Sequence, residues 1–334
     1  MRPKHRIGLL FVMVGLLFGL TGCGRTDMSV FDPAGPVAKM ELSVIMTSVY
    51  IMTGVFIVAM AILVYVLIRF RRRKGQDLPP KQVEGNNWME LTWTIIPLIL
   101  MGILAVPTVS TAFALDQKQT GPNTMNVTVK ASQFWWQFEY PDLGIVTAQA
   151  LHIPVGTKVN LKLETTDVMH SFWVPRLAGK TDLIPGRVNT MWFEASQPGE
   201  YQGKCAEYCG PSHGVMDFVV IADTPQQFQA WVQKMKNPQV QPTSAQAAEG
   251  EKLFAQNCAT CHAIAGTNFK GVLGPDLTGF ADRPKVAGVL DNNPTDVEKW
   301  ISDPAAIKPG TKMPKLPLNQ QQISALSAFL EGLK

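Results

Sequence analysis

Two long stretches of this chain carry no charge at all: Leu42 to Ile68, 27 residues, and Leu91 to Leu115, 25 residues. At about 1.5 Å rise per residue each exceeds a hydrocarbon core of roughly 30 Å, so the pattern predicts transmembrane helices over 42–68 and 91–115. Pro97 and Pro107 fall inside the second run. They would break a soluble helix, whereas within a membrane neighbouring helices re-satisfy the freed backbone groups, which implies a partner bundle. A shorter apolar run, Ile7 to Leu20, follows the basic segment Met1 to Arg6 and ends in Leu20-Thr-Gly-Cys23. Its length suits an export signal over 1–22, with an uncleaved first helix as the alternative.

Beyond the second span the period changes. Asn126 to Lys130, Lys158 to Leu163, Thr190 to Glu194 and Asp217 to Ile221 alternate or run apolar between Pro or Gly, as half-buried strands do. Pro225 to Met235 reads as a short helix closing a β-rich domain over 120–235. Residues 236–247, rich in Pro, Gln, Ser and Ala, read as a linker reaching roughly 35 Å if extended at about 3.1 Å per residue. A largely helical domain fills 248–334. The chain is thus a multidomain membrane protein, with an N-terminal segment over 23–41 and a connecting loop over 69–90.

Charge orients it. Charged residues are 17% of the chain, against about 25% in soluble domains, and the shortage lies in the two spans. The loop between them holds Arg69, Arg71, Arg72, Arg73, Lys74 and Lys81, against only Arg25 and Lys39 between Cys23 and the first helix. The positive-inside rule puts that loop in the cytoplasm and both soluble domains outside. The net charge of +4 falls to +1 once Arg2, Lys4 and Arg6 leave with the signal. It implies no nucleic-acid partner.

The chemistry is concentrated in two short motifs. Cys205-Ala-Glu-Tyr-Cys209-Gly-Pro-Ser-His213-Gly-Val-Met216 offers two thiolates, an imidazole and a thioether, a soft set that suits copper in electron transfer better than zinc. One loop cannot easily close such a site, so a second imidazole is expected, and His170 is its natural source. A disulfide between Cys205 and Cys209 is the alternative; it would leave His213, Met216 and His170 without a role. Cys258-Ala-Thr-Cys261-His262 is the c-type haem attachment motif, with His262 as proximal ligand. A thioredoxin-like redox pair would need a strand, helix, strand setting that this region lacks.

On these residues the chain resembles subunit II of haem-copper cytochrome c oxidases from Glu41 to Met235. Asp167-Val-Met-His170-Ser, Lys180-Thr-Asp182-Leu-Ile-Pro-Gly-Arg187 and Trp88-Met-Glu90-Leu-Thr-Trp-Thr-Ile-Ile-Pro97 carry the likeness beyond the copper loop. The rest resembles a class I cytochrome c through Gly274-Pro275-Asp276-Leu277, Trp300 and Lys308-Pro-Gly-Thr-Lys-Met313-Pro314. Together they are similar to bacterial caa-type oxidases, in which a cytochrome c is fused to this subunit. Leu20-Thr-Gly-Cys23 resembles a bacterial lipobox, which implies a lipidated Cys23 anchored in the cytoplasmic membrane.

The resemblance implies a two-helix hairpin, a cupredoxin-like barrel and an all-α cytochrome domain. It implies a dinuclear CuA centre bridged by Cys205 and Cys209, with His170, His213, Met216 and the Glu207 carbonyl completing the ligands, and a magnesium ion shared with subunit I through the Glu207 side chain. Haem c would be bound by Cys258 and Cys261, with His262 and Met313 on the iron, Pro275 orienting His262, and Trp300 near the propionates. Phe134, Trp135 and Trp136 would lie on the electron path. Glu90 matches a carboxylate near the entrance of a proton path, with an ordinary interfacial charge as the alternative. Partners would be subunits I and III, lipid, and an external reductant or donor cytochrome. One position departs from the family: Phe134 stands where a tryptophan usually follows Gln133, the point at which a soluble cytochrome delivers electrons, which fits delivery by the attached haem. The implied activity is electron uptake for a proton-pumping terminal oxidase whose oxygen site is in subunit I. Its copper ligands argue against a quinol oxidase, and its two spans and fused cytochrome against a nitrous-oxide reductase. A membrane-anchored copper-delivery factor and a stand-alone electron carrier are the alternatives from another class.

Overall fold

The structure is a computed structural model and describes residues 26–72, 75 and 84–334. The export segment, Cys23, and Arg73, Lys74 and Lys81 of the basic loop lie outside the described residues. Helices α1 (Pro36–Arg69) and α2 (Asn87–Asp116) are the two apolar spans. Side chains such as Phe56, Ile57, Leu98 and Val106 are exposed along them, as surfaces for lipid or partner helices would be.

Both helices outrun the charge-free stretches. Pro36 opens α1 at its first turn, where its missing N–H costs nothing. That turn is seated on the β domain: Val37 and Ala38 are buried, and the Ala34 and Ala38 amides donate to the carbonyls of Arg176 and Leu177 at 2.7 and 3.2 Å. Gly35 permits the approach, since a Cβ there would collide with the Glu194 carbonyl. At the start of α2 the Asn86 side chain accepts from the Trp88 and Met89 amides at 3.0 and 3.3 Å, so the polar turn holding Glu90 is already helical. The helix continues through Pro97 and Pro107.

Ten strands follow: β1 (Thr124–Ser132), β2 (Trp135–Tyr140), β3 (Ile145–Ala148), β4 (Ala150–Pro154), β5 (Lys158–Thr165), β6 (His170–Val174), β7 (Ala178–Leu183), β8 (Asn189–Phe193), β9 (Gly199–Cys205) and β10 (Asp217–Asp223). They form two sheets, ordered β3-β2-β1-β5-β8 and β4-β10-β9-β6-β7. Pairing is parallel between β1 and β5 and between β4 and β10, which links distant parts of the chain into a cupredoxin-like sandwich. The alternation along β2 turns Trp136, Phe138 and Tyr140 inward, where they are buried together with Phe172, Phe193 and Phe218. Phe172 stacks on Phe218 at 4.6 Å between centroids, and Trp136 lies 5.0 Å from Phe218. Each such burial contributes about 1.5–3 kcal/mol, and this aromatic wall underlies the metal loop.

Helix α3 (Pro225–Lys236) closes the barrel through Phe228, Val232 and Met235. The segment after it is not an extended tether. Gln239 exchanges both backbone hydrogen bonds with Lys334, at 2.7 and 3.3 Å, and Val240 packs on the core of the second domain. Helix α4 (Ala245–Asn257) then begins inside the span expected as linker, capped by Ser244. With α5 (Pro294–Ser302), α6 (Pro304–Ile307) and α7 (Gln320–Leu330) it builds a helical domain around Leu253, Phe254, Ile264, Leu326 and Phe329. Helices α4 and α7 cross at Gly250, where a Cβ would collide with the Ala325 carbonyl.

Candidate metal centre

The site is assembled by three strand ends. Cys205 ends β9, His170 begins β6, and the loop between β9 and β10 carries Cys209, His213 and Met216. His170, Cys205 and Cys209 place one ligand atom each within 4.8 Å of one another. The donors fall into two matching halves. Cys205 Sγ lies 3.8 Å from His170 Nδ1 and 3.2 Å from the Glu207 carbonyl. Cys209 Sγ lies 3.7 Å from His213 Nδ1 and 3.7 Å from Met216 Sδ. The two sulfurs are 3.9 Å apart and unbonded, far beyond the roughly 2.05 Å of a disulfide. Such separations suit donors that share ions at bond lengths of about 2.0–2.3 Å. His170 and Met216 are fully enclosed, and Cys205 and Cys209 are buried.

The loop is fixed from outside. Gln133 Nε2 donates to the Cys209 carbonyl at 2.7 Å, Trp136 Nε1 to the Met216 carbonyl at 3.3 Å, and Lys204 Nζ to the Gly214 carbonyl at 3.0 Å. The thiols are coupled. Contact with the Cys209 sulfur, with the His170 imidazole, holds Cys205 well below the ordinary thiol range, while the neighbouring sulfur and burial hold Cys209 up. Metal would bind both sulfurs as thiolates, so its entry would release protons from the site.

Asp167 is the residue that sequence reasoning quoted without giving it a task. Its Oδ1 lies 2.9 Å from His170 Nε2, which leaves Nδ1 facing Cys205, and its carboxylate accepts from the Gln133 and Val168 amides at 2.7 and 2.8 Å. Burial alone would raise its pKa, but these bonds hold the carboxylate well below its usual range. Its position three residues before His170 was the available signal. Outer partners of this kind set ligand orientation. Asp167→Asn should weaken copper binding roughly 10- to 100-fold, read by chelator competition; an unchanged affinity would mean that Asp167 does not orient His170.

In the helical domain Cys258 caps α4, and the Cys261 and His262 amides both donate to its carbonyl, at 3.0 and 2.9 Å. His262 Nδ1 donates to the Pro275 carbonyl at 2.8 Å, which leaves Nε2 as the free ring nitrogen. Burial holds the ring below its ordinary pKa, the direction that favours the neutral form an iron ligand needs. Glycines make the cradle: a Cβ on Gly274 would stand 2.6 Å from the His262 ring, and one on Gly271 would collide with the backbone of Cys261 and His262. This arrangement fits a covalently held haem.

Comparison with known proteins agrees with this geometry. The family described as cytochrome C oxidase subunit II, transmembrane domain, matches residues 25–111; its periplasmic domain matches 145–223; and cytochrome c matches 247–334. The chain is 44% identical to cytochrome c oxidase subunit 2 of Alkalihalophilus pseudofirmus over 322 residues, 94% of each chain. It is also 44% identical to the subunit 2 of Bacillus sp. strain PS3, covering 98% of this chain and 97% of that one. Quinol oxidase subunit 2 of Bacillus spizizenii is more distant, at 33% identity over 69% of this chain and 72% of the other. The chain belongs to the cytochrome c oxidase subunit II family.

A subunit II periplasmic domain implies CuA, and the cluster of His170, Cys205 and Cys209 fits it; the cytochrome c domain implies haem. Around this subunit II site the other expected residues are unevenly placed. Phe134 is buried beside Gly210 of the metal loop, and Trp136 lies edge-on to His170 at 6.2 Å. Trp135 takes the opposite, half-buried face of β2 and so does not share their side of the strand. The Glu207 side chain is half-buried at the loop. Glu90 is exposed in the first turn of α2.

Proposed function

We propose that this chain is the electron-uptake subunit of a proton-pumping terminal oxidase, partnered by subunit I and by subunit III. The observation that carries the reading is the convergence of two thiols, two imidazoles, a thioether and a carbonyl at one end of a barrel whose own chain also bears a haem attachment motif. When bound, haem c and CuA supply one-electron chemistry between an external reductant and subunit I, where oxygen is reduced. Cys205 and Cys209, together with His170, the Glu207 carbonyl, His213 and Met216, would hold the copper. Cys258 and Cys261 would hold the haem covalently, with His262 and Met313 as its iron ligands. Burial of the copper donors keeps water from the sulfurs, and Asp167 and Pro275 fix which imidazole nitrogen is free.

The two apolar helices anchor the protein in a membrane. We place the copper and haem domains on the extracytoplasmic face, because the basic residues from Arg69 to Lys81 favour a cytoplasmic loop, and a lipid on Cys23. Glu207 is offered as a magnesium ligand shared with subunit I, and Glu90 as a carboxylate near a proton path. Purification of the intact complex tests the reading. Two coppers with a mixed-valence signal, one covalent haem, retained subunit I, and a chain beginning at lipidated Cys23 by mass spectrometry are expected. A single diamagnetic copper without partner subunits would favour a copper-delivery protein instead.

A further inference from the structure

The helical domain meets the barrel at the metal loop. Lys308, directly after α6, is 2% exposed, and its Nζ donates to the main-chain carbonyl of Phe134 at 2.8 Å. One residue on, the Pro309 carbonyl accepts from Ser212 Oγ at 2.7 Å. Ser212, 1% exposed, immediately precedes His213. Gly310 comes next, at φ +80°, and a Cβ there would stand 3.4 Å from the Phe134 ring and 3.5 Å from Pro211. Gly210 approaches the same ring, to 3.1 Å from its would-be Cβ. The Phe134 side chain is therefore held between the copper loop and the segment that leads to Met313. Lys312, its neighbour, reaches Asp167 at 3.3 Å.

A lysine that merely covered an apolar seam would bury its stem and leave its ammonium in water. Here the whole side chain is enclosed, and its bond crosses to the other domain. Burying a cation is disfavoured unless its donors are met, so the bond is tied to one relative placement of the two domains. Pro309, whose φ is fixed by its ring, sets the second cross-domain bond at the next residue. Two bonds from consecutive residues thus grip the barrel at two points, Phe134 beside the copper loop and Ser212 within it.

We propose that Lys308 is a positioning residue which locks the Lys308-to-Met313 segment onto Phe134 and the copper loop. The haem domain is then held in a docked pose rather than delivered by diffusion on a tether. The inference rests on the haem-to-copper reading above.

The test uses the intact oxidase complex with Lys308→Met, which keeps the stem and removes the donor, and separately Ser212→Ala. Covalent haem content, haem potential and the copper spectrum should be unchanged in Lys308→Met. Haem-to-copper electron transfer after flash reduction should slow roughly tenfold or more, as loss of a charge-assisted bond implies. Amide hydrogen exchange should rise in residues 206–216 and 308–316, a readout independent of turnover. Ser212→Ala should show the same pattern to a smaller degree, and it decides the matter if Lys308→Met fails to take up haem. Rapid transfer in wild type that is equally rapid in both variants, with unchanged exchange, would overturn the role of Lys308. Absence of haem-to-copper transfer in wild type would overturn the functional reading itself.

Discussion

Cys209→Ser should fold, yet lose the mixed-valence copper signal entirely. Cys209 Sγ is the atom around which one half of the site is built, 3.7 Å from both His213 Nδ1 and Met216 Sδ and 3.9 Å from Cys205 Sγ. A serine hydroxyl is close in size but stays protonated and is a hard donor, so it cannot bridge two soft ions. Copper should fall to one per chain or less, measured by metal analysis beside the absorption and paramagnetic spectra. Met216→Leu is the internal control. A thioether is a weak ligand that tunes potential more than it holds metal, so that variant should keep a dinuclear signal of altered potential. A normal mixed-valence spectrum in Cys209→Ser would remove Cys209 from the ligand set.

Truncation after Pro242 should leave the copper centre intact while turnover with a small-molecule reductant falls by about a hundredfold or more, the scale on which losing an intramolecular partner acts. The barrel core and all the proposed copper ligands lie before the cut, and the haem motif lies after it. Added mitochondrial-type cytochrome c should restore little. The removed domain, from Ala245 to Lys334, holds nine Lys or Arg and nine Asp or Glu, hence no net charge, so its partner surface was not shaped by steering a strongly basic donor. The intact enzyme should for the same reason depend only weakly on salt, which screens encounter between separate charged proteins. Full rescue of the truncated enzyme by low concentrations of external cytochrome would overturn the role given to the fusion and to Phe134.

What was legible in the sequence was what depends on local pattern. The two spans announce themselves through missing charge, and β1, β5, β8 and β10 through alternation between turn residues. The copper and haem residues stand out because their chemistry needs several rare side chains close together: Cys205, Cys209, His213 and Met216 fall within twelve residues. Only His170 had to be supplied from afar, and it was found by asking what the loop lacked. What stayed hidden depends on contacts between distant segments. The first turn of α1 is helical because Ala34 and Ala38 find carbonyls on the barrel. Residues 237–244 read as free chain because their composition is polar, yet Gln239 finds its partner in Lys334, 95 positions on. Lys308 gave no signal at all, since a lysine in a turn is ordinarily solvated and only its depth and its bond to Phe134 distinguish it.

The seat of α1 on the barrel has a mechanical meaning. The helix has 34 residues, about 50 Å at 1.5 Å each, against a hydrocarbon core of roughly 30 Å. Its N-terminal turn is clamped by the Ala34 and Ala38 bonds, by Gly35 under Glu194, and by the Arg176–Asp32 ion pair at 2.7 Å. These contacts tie the direction of the helix to that of the barrel. A change in bilayer thickness that altered the tilt of α1 would swing the barrel with it, so lipid composition would act on the aim of the copper loop toward its neighbour.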